Sequence, residues 1–124
     1  MELHRAGEDY LKTILLLQNK NGAVRSLDVA KALNVSKPSV SAAMKLLRDG
    51  GFLIMDADKQ IQLTDAGREV AEGVFEKHSI IKQCLISMGV DPGTAEKDAC
   101  AMEHIISPET LERLNAFVRE EAPA

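Results

Sequence analysis

The run SLDVAKALNVSKPSVSAAMKLLRDGGFLIMDADKQIQL, residues 26–63, decides the fold. Ser26 reads as the N-cap of a short helix through Leu33, with Asp28 well placed for the helix dipole. Asn34-Val35 reads as a tight turn. Ser36 reads as the cap of a second helix, which runs to about Asp49 and is stopped by Gly50-Gly51. Two strand-like runs follow, Phe52 to Met55 and Gln60 to Leu63, joined by the turn Asp56-Ala57-Asp58-Lys59. Two short helices with a brief turn and then a hairpin make a winged helix-turn-helix. In such a unit the second helix enters the major groove of DNA.

Upstream, Arg5 to about Lys20 has apolar residues at Tyr10, Leu11, Ile14, Leu15 and Leu17, a helical spacing that Asn21-Gly22 ends. Downstream, Thr64 caps a long helix from about Asp65 to Ser87, broken by Gly89. Asp91-Pro92 combines a cap with Pro at the first helical position and opens a helix to near Ile106. Ser107-Pro108 repeats the signal and opens a last helix to about Arg119. The expected architecture is mainly α with a small β-hairpin. Residues 1–68 form the winged helix-turn-helix DNA-binding domain, and residues 69–124 form a helical domain.

Composition bounds the function. The chain has 124 residues, 45% hydrophobic and 27% charged, which fits a folded rather than a disordered protein. There is no Trp and one Tyr, so the core is aliphatic. No apolar run approaches the roughly 20 residues of a membrane span. The start, Met1-Glu2-Leu3-His4-Arg5, lacks the apolar stretch of a secretory signal. Two cysteines in that setting read as free thiols in a reducing cytoplasm. The expectation is a cytoplasmic protein with no membrane partner and no small-molecule substrate. Residues 1–68 hold 10 Lys/Arg and 8 Asp/Glu, a charge of +2, whereas residues 69–124 hold 5 and 11, a charge of −6. A mildly basic head on an acidic body suits DNA at one end and cations at the other.

On the reading helix, Val40, Met44 and Leu47 have the spacing of a buried face. Ser36, Lys37, Ser39, Ala42 and Lys45 then point outward, with Pro38 and Ser41 in the same N-terminal stretch. Small hydroxyls bond phosphates or bases, and lysines neutralise phosphate. Lys59 and Gln60 in the hairpin are candidates for the flanking backbone. No Arg or Asn stands at the helix tip for bidentate base contact, so DNA shape is expected to carry much of the specificity. A serine at a helix start also serves as a plain cap, and a surface lysine as a plain solvated charge. A winged helix can also act as a protein-interaction module or bind DNA without any metal.

The second informative run is Asp98-Ala99-Cys100-Ala101-Met102-Glu103-His104. On a continued helix, Cys100, Glu103 and His104 share one face. Thiolate, carboxylate and imidazole are all metal ligands. Catalysis is not expected. Cys100 and His104 one turn apart leave no oxyanion site, no Gly-rich phosphate loop exists, and Glu103-His104 lacks the zinc-protease spacing.

Glu8-Asp9-Tyr10-Leu11-Lys12-Thr13-Ile14, Lys77-His78 and Cys100-x-x-Glu103-His104 together resemble the DtxR/MntR family of metal-dependent repressors. The resemblance runs from about Glu8 to Arg119. In length the chain is similar to the short, two-domain manganese-regulator form. It implies a homodimer that binds Fe(II) or Mn(II) and then double-stranded operator DNA, usually repressing metal-uptake genes. It also makes residues 69–124 the dimerisation and metal-binding domain.

The resemblance supplies the ligands. Asp9 matches the first-helix ligand, His78 the long-helix His, and Glu103 and His104 the shared Glu-His pair. Cys100 stands where the toxin repressor has Cys and the manganese regulator has Glu. Two positions depart from the pattern. Lys12 replaces a second Glu of the manganese regulator. Lys82 and Glu96 replace a Glu and a His of the toxin repressor's ancillary site. The expectation is one full site per subunit, from Asp9, Cys100, Glu103 and His104, with His78 auxiliary and Lys12 supplying a second ion's charge beside Glu103. Oxygen donors suit Mn(II) and the thiolate favours later metals, which puts iron slightly ahead. Ligands from both head and body let the ion pin one to the other and so set the separation of two reading helices. Cys84, Met88 and Met102 read as packing residues and His4 as solvated. Leu85, Ile86, Ile105, Ile106, Leu111, Leu114 and Phe117 exceed what so small a body buries alone, and a helical dimer interface is their outlet.

Overall fold

A computed structural model describes residues 5–121. His4 lies outside the described residues. The chain divides into two compact units, Met1–Glu72 and Gly73–Ala124.

The first unit contains α1 (Arg5–Asn21), α2 (Ser26–Leu33), α3 (Lys37–Asp49), β1 (Leu53–Met55), β2 (Ile61–Leu63) and the first turns of α4 (Asp65–Ser87). The strands pair antiparallel, with Leu53 opposite Leu63 and Met55 opposite Ile61. Each begins one residue later than the apolar runs predict. The core takes Leu11, Ile14 and Leu15 from α1, Val29 and Ala30 from α2, and Val40, Met44 and Leu47 from α3. Leu53 and Ile61 close it from the hairpin. α1 and the loop after it are each tied to the wing by one bond. Ile61 N–H donates to the Val24 carbonyl (2.7 Å), and Gln18 Nε2 donates to the Ile61 carbonyl (3.3 Å).

Local chemistry explains the boundaries. Ser36 Oγ accepts the Ser39 N–H at 3.2 Å and caps α3, with Pro38 in its first turn. α2 is capped one residue earlier than expected. Arg25, not Ser26, is its N-cap, because Asp28 Oδ2 takes the Arg25 N–H at 2.9 Å. The wing turn is held by Asp56, whose Oδ1 accepts from the backbone of Asp58 (2.9 Å) and Gln60 (3.0 Å). Thr64 Oγ1 caps α4 by accepting the Gly67 N–H at 3.1 Å and donates to the Gly51 carbonyl at 2.6 Å.

The second unit holds the rest of α4, α5 (Pro92–Met102) and α6 (Pro108–Glu121). Asp91 Oδ2 accepts from Gly93 N–H (3.0 Å) and Thr94 N–H (3.4 Å), and Ser107 Oγ accepts from Thr110 N–H (3.2 Å). Ile81, Cys84, Ala95 and Ala99 are buried. Met88, expected to pack, is 60% exposed because it lies in the turn beyond the end of α4. Ile86, Ile105 and Phe117 also stand exposed. Among the described residues, no helix is long and apolar enough to cross a membrane.

The largest departure concerns α5. It ends at Met102, four residues before the predicted end, and Glu103 is its C-cap. His104 and Ile105 follow in turns. Cys100, Glu103 and His104 therefore do not lie on one continuous helix.

Gly67 is held by close packing. A Cβ there would collide with the Phe52 carbonyl, the same oxygen that accepts the Thr64 N–H at 3.1 Å. Gly67→Ala is expected to destabilise the protein by about 1–3 kcal/mol, a typical cost of overpacking, measured as a lowered urea midpoint.

Candidate metal centre

The second unit brings its chemistry together around His78 on α4. The turns of α5 decide which side chains meet it. Ala95 and Ala99 are fully buried, and Glu103, one further turn along, continues the same stripe at 1% exposure. Two small residues let α5 approach closely, and the next position on that line carries a carboxylate. Glu96 and Cys100 occupy the neighbouring stripe, also one turn apart. Sequence spacing alone groups Cys100 with Glu103 and His104. The folded chain also sets Cys100 beside His78 and Glu96.

Buried Glu103 is satisfied by two imidazoles. Its Oε2 lies 3.0 Å from His78 Nδ1, and its Oε1 lies 3.3 Å from His104 Nε2. An isolated buried carboxylate would be costly, so this pairing is a condition of the fold. His78 is engaged on both ring nitrogens, since Nε2 lies 2.9 Å from Glu96 Oε2. Cys100 Sγ lies 3.8 Å from His78 Nδ1 and 4.0 Å from Glu96 Oε1. Lys82 Nζ lies 3.0 Å from Glu96 Oε2.

His78, Glu96 and Cys100 each offer a donor atom within 4.8 Å of the others. Imidazole, carboxylate and thiol at that spacing fit a first-row divalent ion, and Glu103 adds a second carboxylate oxygen on the Nδ1 side. The remaining expected ligand, Asp9, lies half-buried on α1 in the first unit, as does Lys12. His78, expected to be auxiliary, has Glu96 and Glu103 on its two sides. Glu96 and Lys82, expected only as departures from a family pattern, join the cluster. The signal that finds them is helical spacing: Lys82 is one turn from His78, and Glu96 is one turn from Cys100.

The expected DNA-facing residues are Ser36, Lys37, Pro38, Ser39, Ser41, Ala42 and Lys45. All are exposed, opposite the buried Val40, Met44 and Leu47. Ser36 and Ser39 also bond each other, with Ser36 Oγ 2.8 Å from Ser39 Oγ. Lys59 stands exposed in the wing turn in a left-handed conformation (φ 63°), and Gln60 is half-buried.

The hydrogen bond from the Lys82 ammonium holds the Glu96 carboxyl below its ordinary range, with His78 acting in the same direction and burial opposing them. A carboxyl depressed on folding adds stability above its unfolded value, and that contribution is lost as pH falls through the folded value. The pair is half-exposed and its contribution is small. Glu96→Gln should therefore leave a shallower fall in melting temperature on the acid side, below about pH 4.5, with the neutral-pH value little changed. Differential scanning calorimetry across that range checks it.

Comparison with known proteins shows the family. Residues 2–61 match the model of the iron dependent repressor N-terminal DNA binding domain. Residues 64–121 match that of the iron dependent repressor metal binding and dimerisation domain. The transcriptional regulator MntR of Salmonella typhimurium is 36% identical over 121 residues, covering 96% of this chain and 77% of the relative. An uncharacterized HTH-type transcriptional regulator of Methanocaldococcus jannaschii is 36% identical over 115 residues, covering 91% and 92%. Among solved structures, the manganese regulator SloR superposes with a TM-score of 0.81 at 28% identity, covering 96% of this chain and 55% of that one. A manganese-dependent transcriptional repressor solved with manganese gives 0.82 at 25% identity, covering 91% and 52%. The chain thus spans about half the length of these two solved chains.

Proposed function

Since this chain belongs to the iron dependent repressor family of metal-dependent, DNA-binding transcriptional regulators, we propose that it is a homodimeric repressor of metal-uptake genes that grips its operator when loaded with Fe(II) or Mn(II). The observation that carries this reading is the buried Glu103 carboxylate between His78 and His104, with the Cys100 thiol beside His78.

The proposed ligands are His78, Cys100, Glu103 and His104, joined by Asp9 from the first helix on the strength of the resemblance alone. One ion per subunit is proposed, because the ammonium groups of Lys12 and Lys82 stand where relatives offer further carboxylates. A divalent ion supplies charge that gathers anionic and imidazole donors into one arrangement. The chain's own residues do the rest. α3 presents Ser36, Lys37, Ser39, Ala42 and Lys45 to the groove, and Lys59 and Gln60 lie in the wing. Two such helices reach successive half-sites about 34–36 Å apart only when their separation is fixed. A coupling of roughly 1–3 kcal/mol between ion and operator is typical of linked sites. Ile86, Ile105 and Phe117, exposed on the second unit, supply apolar surface suited to a second copy of the chain.

The test is a gel shift on the chain's own promoter DNA, paired with calorimetric metal titration of the apoprotein. Retardation only with Fe(II) or Mn(II), and one tight ion per subunit, are expected. Metal-independent retardation would instead mark an ordinary winged-helix regulator, and no retardation an interaction module. Two tight ions per subunit would sink the stoichiometry.

The thiolate sets the metal preference in this account. Cys100→Glu is expected to move the response from Fe(II) towards Mn(II), read as the ratio of the two metal concentrations giving half-maximal DNA binding. An unchanged ratio would remove Cys100 from the donor set.

A further inference from the structure

The two sides of His78 differ in chemistry. On the Nε2 side, Glu96 Oε2 lies 2.9 Å away, and the same oxygen lies 3.0 Å from Lys82 Nζ. An ionised carboxylate only accepts, so that oxygen receives protons from both neighbours. On the Nδ1 side stand Glu103 Oε2 at 3.0 Å and Cys100 Sγ at 3.8 Å. Lys82 follows His78 by one turn of α4, so one helix presents ammonium and imidazole to a single carboxylate on α5.

We propose that Lys82 and Glu96 are positioning residues for metal binding. Lys82 anchors Glu96, Glu96 accepts the Nε2–H of His78, and Nδ1 is thereby the nitrogen offered to an ion together with Glu103 and Cys100. This rests on the reading of those residues as metal ligands.

Two physical arguments favour an outer role for Glu96 over direct ligation. A histidine that donates its far N–H to a carboxylate is a better oriented and more basic ligand at its other nitrogen. The Lys82 ammonium beside Glu96 also repels a divalent cation from that carboxylate. Both partners of the bridge are substantially exposed, Lys82 at 38% and Glu96 at 48%. Exposed ion pairs contribute little to folding, so removing the pair should act on the metal rather than on stability.

The test uses Zn(II), which leaves histidine resonances sharp, with the full chain and its Lys82→Met and Glu96→Ala variants. Nitrogen NMR of labelled histidine reports which ring nitrogen of His78 carries the ion, and competition with a chelator reports affinity. The expected result is Zn(II) on Nδ1 with the proton on Nε2. Both variants should bind Zn(II) about 10- to 100-fold more weakly, at nearly unchanged apoprotein melting temperature. Zn(II) on Nε2, or affinity unchanged in both variants, would overturn the positioning role while leaving the metal site standing. Failure of the unaltered chain to bind Zn(II) through His78 would overturn the ligand assignment of His78, and the proposal with it.

Discussion

A carboxylate with almost no solvent access is the constraint on which the second unit depends. Glu103 continues the stripe of Ala95 and Ala99 and is equally buried, yet it carries an ionisable group. Such a group is tolerated only with close partners, and the imidazoles of His78 and His104 are among them. The requirement fixes more than one side chain. It brings α4 and the end of α5 together at His78. It also draws Glu96, Lys82 and Cys100 to the same place through single helical turns.

The first unit is built on the opposite principle. Its core is mostly aliphatic, with Phe52 among the buried residues, and several of its polar groups are used locally: Ser36 and Thr64 at helix starts, Asp56 within the wing turn. That leaves the outer face of α3 unencumbered by packing, with small hydroxyls and two lysines presented together. A rigid apolar frame beneath a polar face is what a major-groove reader needs, because contacts to phosphate and base edges depend on a helix held in one orientation. The bond from Gln18 to the Ile61 carbonyl ties α1 to the wing, and the bond from the Ile61 N–H to the Val24 carbonyl ties in the loop that follows α1.

Charge distribution follows the same division. In the acidic half of the chain, imidazoles and an ammonium answer Glu96 and Glu103, and in the basic half Lys37, Lys45 and Lys59 stand exposed. Lys82 is the exception that shapes the cluster. Its ammonium is a fixed cation beside the proposed ligands, and its bridge to Glu96 holds that carboxylate on the Nε2 side of His78.

The helix order, the hairpin, most of the caps and the inward Val40, Met44 and Leu47 are legible in the sequence, because each depends on residues three or four positions apart or on a turn within one segment. The sequence also determined that thiol, carboxylate and imidazole donors cluster near position 100, and the family resemblance added His78 and Asp9 to the candidates. Tertiary structure alone decided how the donors group. Periodicity continues α5 to Ile106, whereas the folded chain ends it at Met102 and turns the chain at Glu103 and His104. The pairing of His78 with both Glu96 and Glu103, and of Lys82 with Glu96, joins residues 14 to 25 positions apart. No local pattern encodes such pairs. They follow from the cost of burying a charge, which is set only when two helices are brought into contact.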